Sequence, residues 1–164
     1  DAFRQVGGFD GRLIAGEEPE LCVRLRRAGW RIRRLDAPMT RHDAAMTRFG
    51  QWWRRARRAG YAYALGAALH GRPPERHYVP ELRRAVVWGV ALPLLSMTLA
   101  VIVSRWALLL LMVYPAQIAR LAVRDGDVAF AAFTVLAKLP EALGAAGFVF
   151  DRARGRSPEI IEYK

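Results

Sequence analysis

Nineteen consecutive residues, Ala85 to Val103, carry no charged side chain. A helix needs about 20 apolar residues to cross a bilayer core, so this run is long enough to span one and constrains everything around it. Arg83 and Arg84 precede it. A second run, Trp106 to Ala119, has 14 uncharged residues and extends to Val123 when Arg120 snorkels toward the interface. Only Ser104 and Arg105 separate the two runs, which predicts a tight helical hairpin. Pro93 and Pro115 are compatible with spanning helices whose neighbours satisfy the freed carbonyls. A third stretch, Val128 to Phe150, is interrupted by Lys138, Pro140 and Glu141. Arg83, Arg84, Arg120 and Arg124 flank the hairpin on one side, and Arg152, Arg154 and Arg156 follow the third stretch. With basic residues kept cytoplasmic, both ends of that stretch lie on one side. The expectation is therefore spans at about 85–103 and 106–123, an interfacial or re-entrant segment at 128–150, and a basic tail.

The preceding half is polar and basic. Residues 1–84 hold 18 of the 26 Lys and Arg and 9 of the 15 Asp and Glu, in a chain of net charge +11. Such a charge would suit nucleic acid, but many arginines border apolar segments, where anionic lipid headgroups are the fitting partner; nucleic acid is not expected. The single cysteine, Cys22, excludes an internal disulfide and a multi-cysteine zinc site and reads as a small core residue. Glu18 to Ala28 predicts a helix: Pro19 suits the first turn, Glu17, Glu18 and Glu20 complement the positive helix end, and Gly29 follows as a stop. Leu21, Leu25 and Ala28 share one face, with Arg24 and Arg27 largely turned away. Trp30 to Leu35 predicts a short, imperfect strand, broken by Asp36 to Pro38.

Arg48 to Leu69 returns to helical spacing. Trp52, Trp53, Ala56, Ala59, Gly60 and Tyr63 project to one side, while Arg54, Arg55, Arg57 and Arg58 cover the other. This pattern suits a helix lying in a membrane interface, and equally an amphipathic helix packed on its own domain; the nearby anchor favours the first. Pro73 and Pro74 mark a linker, with His70 and His77 read as linker residues. The chain thus divides into residues 1–47, a basic helix and linker at 48–84, and a membrane anchor at 85–164.

The residues that could carry chemistry lie between Phe3 and His42. Gly7 and Gly8 permit a tight turn or close approach to a ligand, and Phe9 and Asp10 follow. The adjacent carboxylates Glu17 and Glu18 are, taken alone, capping charges. Taken in order, Phe3-Arg4-Gln5-Val6-Gly7-Gly8-Phe9-Asp10, Gly16-Glu17-Glu18-Pro19-Glu20-Leu21-Cys22, Arg24-Leu25-Arg26 and Ala28-Gly29-Trp30 resemble the acceptor-side half of family 2 glycosyltransferases with the GT-A fold. The resemblance covers about the first 45 residues and implies an α/β half-domain followed by an all-α transmembrane and interfacial region.

That resemblance also implies a chemistry: inverting transfer of a sugar from a nucleotide sugar to a lipid-linked or polysaccharide acceptor. It assigns the proton-accepting carboxylate to Glu18, with Glu17 as the alternative, and substrate contacts to Gly7, Gly8, Phe9 and Asp10. Gly11 stands where the family often has Glu, and Asp10 can instead close the turn on its own backbone. Gln51-Trp52-Trp53-Arg54-Arg55 resembles the Gln-x-x-Arg-Trp signature of processive members, which adds Gln51, Trp52 and Arg54 to the substrate contacts. Arg55 replaces the final Trp, and this departure argues against a polymer synthase. His42 is a metal-ligand candidate near the donor diphosphate. The resemblance further implies Mg or Mn, with its main ligands in a nucleotide-binding half outside this chain, which alone is expected to be inactive. It places the protein in the bacterial cytoplasmic membrane, with its catalytic part facing the cytoplasm. A different reading is a non-enzymatic, membrane-anchored adaptor whose basic helix binds anionic lipid or a partner protein.

Overall fold

Pro19 and the acidic first turn start a helix where the sequence predicts one. In the computed structural model, which describes residues 1–33, 35–36 and 46–156, it runs Glu17–Arg27 (α2), after a single turn at Ala2–Gln5 (α1). The basic segment forms a 22-residue helix, Phe49–His70 (α3). Beyond it come Val79–Val86 (α4), a π-helical turn at Val87–Ala91, Leu92–Ile102 (α5) and a 3-10 stretch at Arg105–Met112. Val113–Asp125 (α6), Val128–Leu136 (α7) and Lys138–Ala153 (α8) complete the described chain.

No strand occurs among the described residues, so the α/β expectation of a partial GT-A domain is not met. The segment predicted as a strand shows why. Among the described residues Trp30 to Arg33 has no strand beside it to take up its backbone N–H and C=O groups, and a lone strand has no ladder. Its apolar residues are not covered either: Trp30, Ile32 and Leu35 are all exposed. Trp30 Nε1 instead donates to Gln5 Oε1 at 2.9 Å, tying the segment to the end of α1. Residue 34, and Pro38 in the predicted break, lie outside the described residues.

Among the described residues, three stretches are long and apolar enough to cross a membrane: Val79–Ile102, Arg105–Asp125 and Val128–Ala153. The first joins α4 and α5 through the π-helical turn. Pro93 has no N–H to offer the carbonyl of Gly89, and a π-type turn in the preceding residues is the usual response of a helix to such a lost bond. Ser96, fully buried, closes the hairpin by donating its Oγ to the carbonyl of Ala107 at 2.9 Å. The Tyr114 hydroxyl donates to the carbonyl of Trp88 in the same way. Both hydroxyls are thus satisfied inside the hairpin, as an apolar surrounding requires. Outward, Leu94, Leu95, Met97, Val101 and Ile102 stay exposed, an apolar surface that suits lipid.

The third stretch is the one that meets α3. Gly60 of α3 lies against the backbone of Glu141, and Gly144 of α8 lies against the backbone of Arg57 and Tyr61. A Cβ on either glycine would overlap a carbonyl oxygen of the other helix, so both positions must be bare for the helices to lie this close. Gly89 meets the carbonyl of Lys138 on another side of α8. Around the contact, Leu13, Ala64, Leu65, Ala145 and Phe148 form a core cluster, with Tyr61 and Leu82 against it. Leu13 and Ile14 are 4% and 5% exposed. Burying two such side chains stabilises by about 1.5–3 kcal/mol each, which fixes the amino-terminal segment to the helical layer.

Replacing Gly144 by Ala is expected to destabilise the fold by about 1–3 kcal/mol, because α3 and α8 must separate to admit the methyl group. Gly147→Ala, three residues along the same helix, meets only Tyr61 at 3.9 Å and is expected to be neutral or stabilising. Thermal midpoints of the two variants in one detergent check the contrast.

Candidate active site

The double-glycine turn and the acidic helix start are brought side by side by one arginine. Gly7 and Gly8 both have positive φ, +78° and +69°, which a side chain would resist. Arg24 reaches back from α2 and donates to the carbonyls of Val6 and Gly8, the latter at 2.6 Å, so the turn is clamped to the helix. The same guanidinium holds Glu20 through Nε at 2.8 Å and Nη2 at 2.7 Å. Arg24 is therefore not turned away from the folded part, as helical projection suggests, but joins its two functional segments.

Glu20 is the buried carboxylate of this region, 2% exposed. Its Oε1, which also accepts from Arg24 Nε, meets His70 Nε2 at 2.8 Å, and His70 Nδ1 meets the Arg27 guanidinium at 2.9 Å. A guanidinium has only donors, so Nδ1 accepts from Arg27 and the ring proton sits on Nε2, donated to Glu20. Burial disfavours the ionised Glu20, but the hydrogen bonds from Arg24 and His70 outweigh it and hold its pKa below the ordinary glutamate range. Arg27 also binds Glu75 with two bonds of 3.0 Å and holds its pKa at about 2. His70 thus ends α3 as a bridge to α2, although its sequence position suggests a linker. The spacing of Glu20 and Arg24 was the available signal for half of this network; the 50 residues between Glu20 and His70 hid the rest.

The acidic pair sits at the first turn of α2, with Glu17 half-buried and Glu18 exposed. Before it, Gly16 has φ +83°, and the Tyr78 hydroxyl lies 3.0 Å from where a Cβ would stand. Tyr78, at the head of α4, packs on Tyr63 at 5.1 Å and on His77 at 4.1 Å. The acidic turn is thus bordered by a residue that leads straight into the first membrane-length stretch. His77 Nε2 is buried with no hydrogen-bond partner among the described residues, and burial followed by the proximity of His70 lowers the pKa of its ring.

The remaining candidates divide. Asp10 closes its turn: Oδ1 accepts from the Arg12 backbone at 3.0 Å and Oδ2 from Nη2 at 2.7 Å, and these bonds hold its pKa at about 2. Phe9 is exposed and edge-on to Phe3 at 5.3 Å. Gln51 Oε1 accepts from the backbone N–H of Thr47 and Arg48 at 3.1 and 3.0 Å, so its amide oxygen caps the start of α3. Trp52 belongs to an aromatic group, 5.0 Å from Phe49 and 5.0 Å from Phe133 of α7. Arg54 is exposed on the outer face of α3. Trp52 also lines a cavity of about 530 Å³ between the start of α3 and the junction of α7 and α8, a place that neither Glu17 nor Glu18 lines. Gly7 and Gly8 are therefore tied to α2 through Arg24 and Glu20, and the acidic pair opens that same helix, whereas Gln51, Trp52 and Arg54 belong to a second location. His42 lies outside the described residues. Among the described residues no group of three or more His, Cys, Asp or Glu side chains is placed to hold a metal ion, so no donor set for Mg or Mn is formed there.

Each lowered carboxylate adds stability above its unfolded pKa and loses it as the pH falls through its folded value. For Asp10 and Glu75 the loss runs from the ordinary values of 3.8 and 4.5 down to about 2. The thermal midpoint is expected to fall as the pH drops from 5 toward 2. Glu20→Gln, which removes the direction-setting charge beside Arg24, is expected to lower the midpoint at neutral pH and flatten its acid dependence; melting curves across that range check both.

No curated protein and no solved structure matches this chain. Residues 1–141 match the family described as Glycosyl transferase family group 2, and the chain belongs to that family.

Proposed function

We propose that the protein transfers a sugar, with inversion, from a nucleotide sugar to a lipid-linked or polysaccharide acceptor at the cytoplasmic face of a bacterial membrane. The observation that carries this reading is the family match over residues 1–141, supported by an acidic pair at the head of α2, the helix to which Arg24 clamps the glycine turn. Glu18 takes the proton of the acceptor hydroxyl as that oxygen bonds to the anomeric carbon. The bond from that carbon to the diphosphate oxygen breaks, and the nucleoside diphosphate leaves with the electron pair. For this step the carboxylate must come within about 2.6–3.2 Å of the hydroxyl oxygen. Glu18 is exposed and reaches solvent-borne substrate directly; Glu17, half-buried beside Tyr78, is the alternative base. Glu20 is excluded from that role by its hydrogen bonds to Arg24 and His70.

The membrane arrangement that fits this reading has two spans and an interfacial third segment. Arg54, Arg55 and Arg57 are exposed on α3, which keeps that helix out of the hydrocarbon core. Since Gly60 and Gly144 lock α8 flush against α3, α8 stays at the interface with it. The hairpin formed by Val79–Ile102 and Arg105–Asp125 then crosses and returns. The competing adaptor reading keeps this anchor and gives the acidic pair no role.

Glu18→Gln is expected to lower turnover by about 100- to 10,000-fold while donor binding persists. Sugar transfer assayed beside nucleotide-sugar binding checks this, and unchanged turnover would favour the adaptor. With Cys22 replaced by Ser, a cysteine placed at Val103 is expected to react with an impermeant reagent from outside the cell. One at Arg156 should react only after permeabilisation; external labelling at Arg156 contradicts the two-span arrangement.

A further inference from the structure

The cavity between the start of α3 and the junction of α7 and α8 is not used by the acidic pair, yet it has the features of a binding site. Its volume of about 530 Å³ lies within the range of roughly 300–1,000 Å³ typical of small-ligand sites. Its walls are the rings of Phe49, Trp52, Phe130 and Phe133, with Thr134 and Ala137 between them. Phe49, Phe130 and Phe133 remain 61%, 58% and 44% exposed, so much of this ring surface faces the open cleft rather than a core. Lys138 and Glu141 close one end and pair with each other at 2.7 Å. Arg48, exposed, stands at the rim.

This distribution selects a class of ligand. A sugar needs a hydrogen-bonding partner for each hydroxyl it buries, and these walls are mostly ring and methyl surface. A hydrocarbon chain needs only apolar walls. The cation at the rim favours a negative group at the chain's end. The location agrees: one wall belongs to a stretch long and apolar enough to enter a membrane, the other to the basic helix. An amphiphile lies at such a boundary with its chain on one side and its head on the other. We infer that this aromatic cleft binds one hydrocarbon chain of an anionic membrane phospholipid, with the phosphate at Arg48. The inference does not depend on Glu18 acting as a base, since no residue of the cleft belongs to the acidic turn.

The test uses the whole chain in nanodiscs of neutral phosphatidylcholine and a photoreactive dodecyl phosphate carrying a diazirine at the chain end. Saturable labelling confined to residues 46–52 and 130–141 is expected, displaced by unlabelled dodecyl phosphate. Since each buried methylene contributes about fourfold in affinity, decyl phosphate, two methylenes shorter, should compete about fifteenfold less well. Arg48→Glu should weaken dodecyl phosphate about tenfold and leave dodecyl trimethylammonium no weaker. Thr134→Trp, which fills the cleft, should abolish the saturable part; Ala137→Leu serves as a smaller filling should the first variant fail to fold by circular dichroism. Labelling spread without saturation over Leu94, Leu95 and Met97 of α5 overturns the inference, as does equal competition by dodecyl maltoside. Protection by a soluble oligosaccharide, without protection by dodecyl phosphate, overturns it in favour of a glycan groove. Sugar-transfer activity enters none of these readouts, so their failure is distinct from failure of the proposed reaction.

Discussion

The packing of Gly60 on the backbone of Glu141, and of Gly144 on the backbone of Arg57, is the constraint on which the described structure depends. Two helices that touch backbone to backbone have no slack, because the nearest atoms are carbonyl oxygens that cannot rotate aside. With α3 and α8 fixed in this way, Leu13 finds a pocket between them beside Ala64, Leu65, Ala145 and Phe148. Arg58 of α3 donates to the carbonyl of Ile14 at 2.5 Å and holds the same segment from the other direction. The acidic turn follows two residues later, so its position is inherited from a contact between helices that are far from it in sequence. The aromatic cleft is inherited too: Trp52 meets Phe133 because α3 and the α7–α8 pair run in the same direction, Trp52 beside Phe133 and Tyr61 beside Phe148.

A second dependence is electrostatic. Glu20 is almost fully buried, and an isolated carboxylate there would be strongly unfavourable. Arg24 and His70 meet it from two elements, and Arg24 spends its remaining donors on the carbonyls of Val6 and Gly8. One residue therefore neutralises a buried charge and satisfies two backbone acceptors of the glycine turn. Arg27 extends the network to Glu75 and to the other nitrogen of His70. The catalytic proposal concerns Glu17 and Glu18, but what orders their surroundings is the neighbouring Glu20, whose side chain is fully engaged within the fold.

Much of the helical framework was legible in the chain itself. The starts and stops of α2 and α3 agree with their predicted limits within one residue, because capping, charge and glycine punctuation act locally. The hairpin across Ser104 also follows from local signals, two uncharged runs and a short break. The order of motifs from Phe3 to Trp30 pointed to the family that residues 1–141 match. The strand at Trp30 was misread because alternation over so few residues needs a neighbouring strand to become a sheet, and none lies beside it among the described residues. Gln51 has the place of a substrate contact in its signature, and the structure adds a local role that the signature does not show: its amide oxygen caps its own helix.

The sequence by itself determined where helices form, which stretches are apolar enough for a membrane, and which family the chain joins. All three rest on interactions between residues close in the chain or on the order of motifs along it. Only the tertiary structure decided which glycines were needed for close approach, that Arg24 joins two segments, that His70 belongs to α2 as much as to α3, and that four rings enclose a cleft. Those facts depend on pairs such as Glu20 and His70, or Gly60 and Glu141, whose separation along the chain leaves no periodic trace. Packing brings such residues together, and no local preference records their meeting.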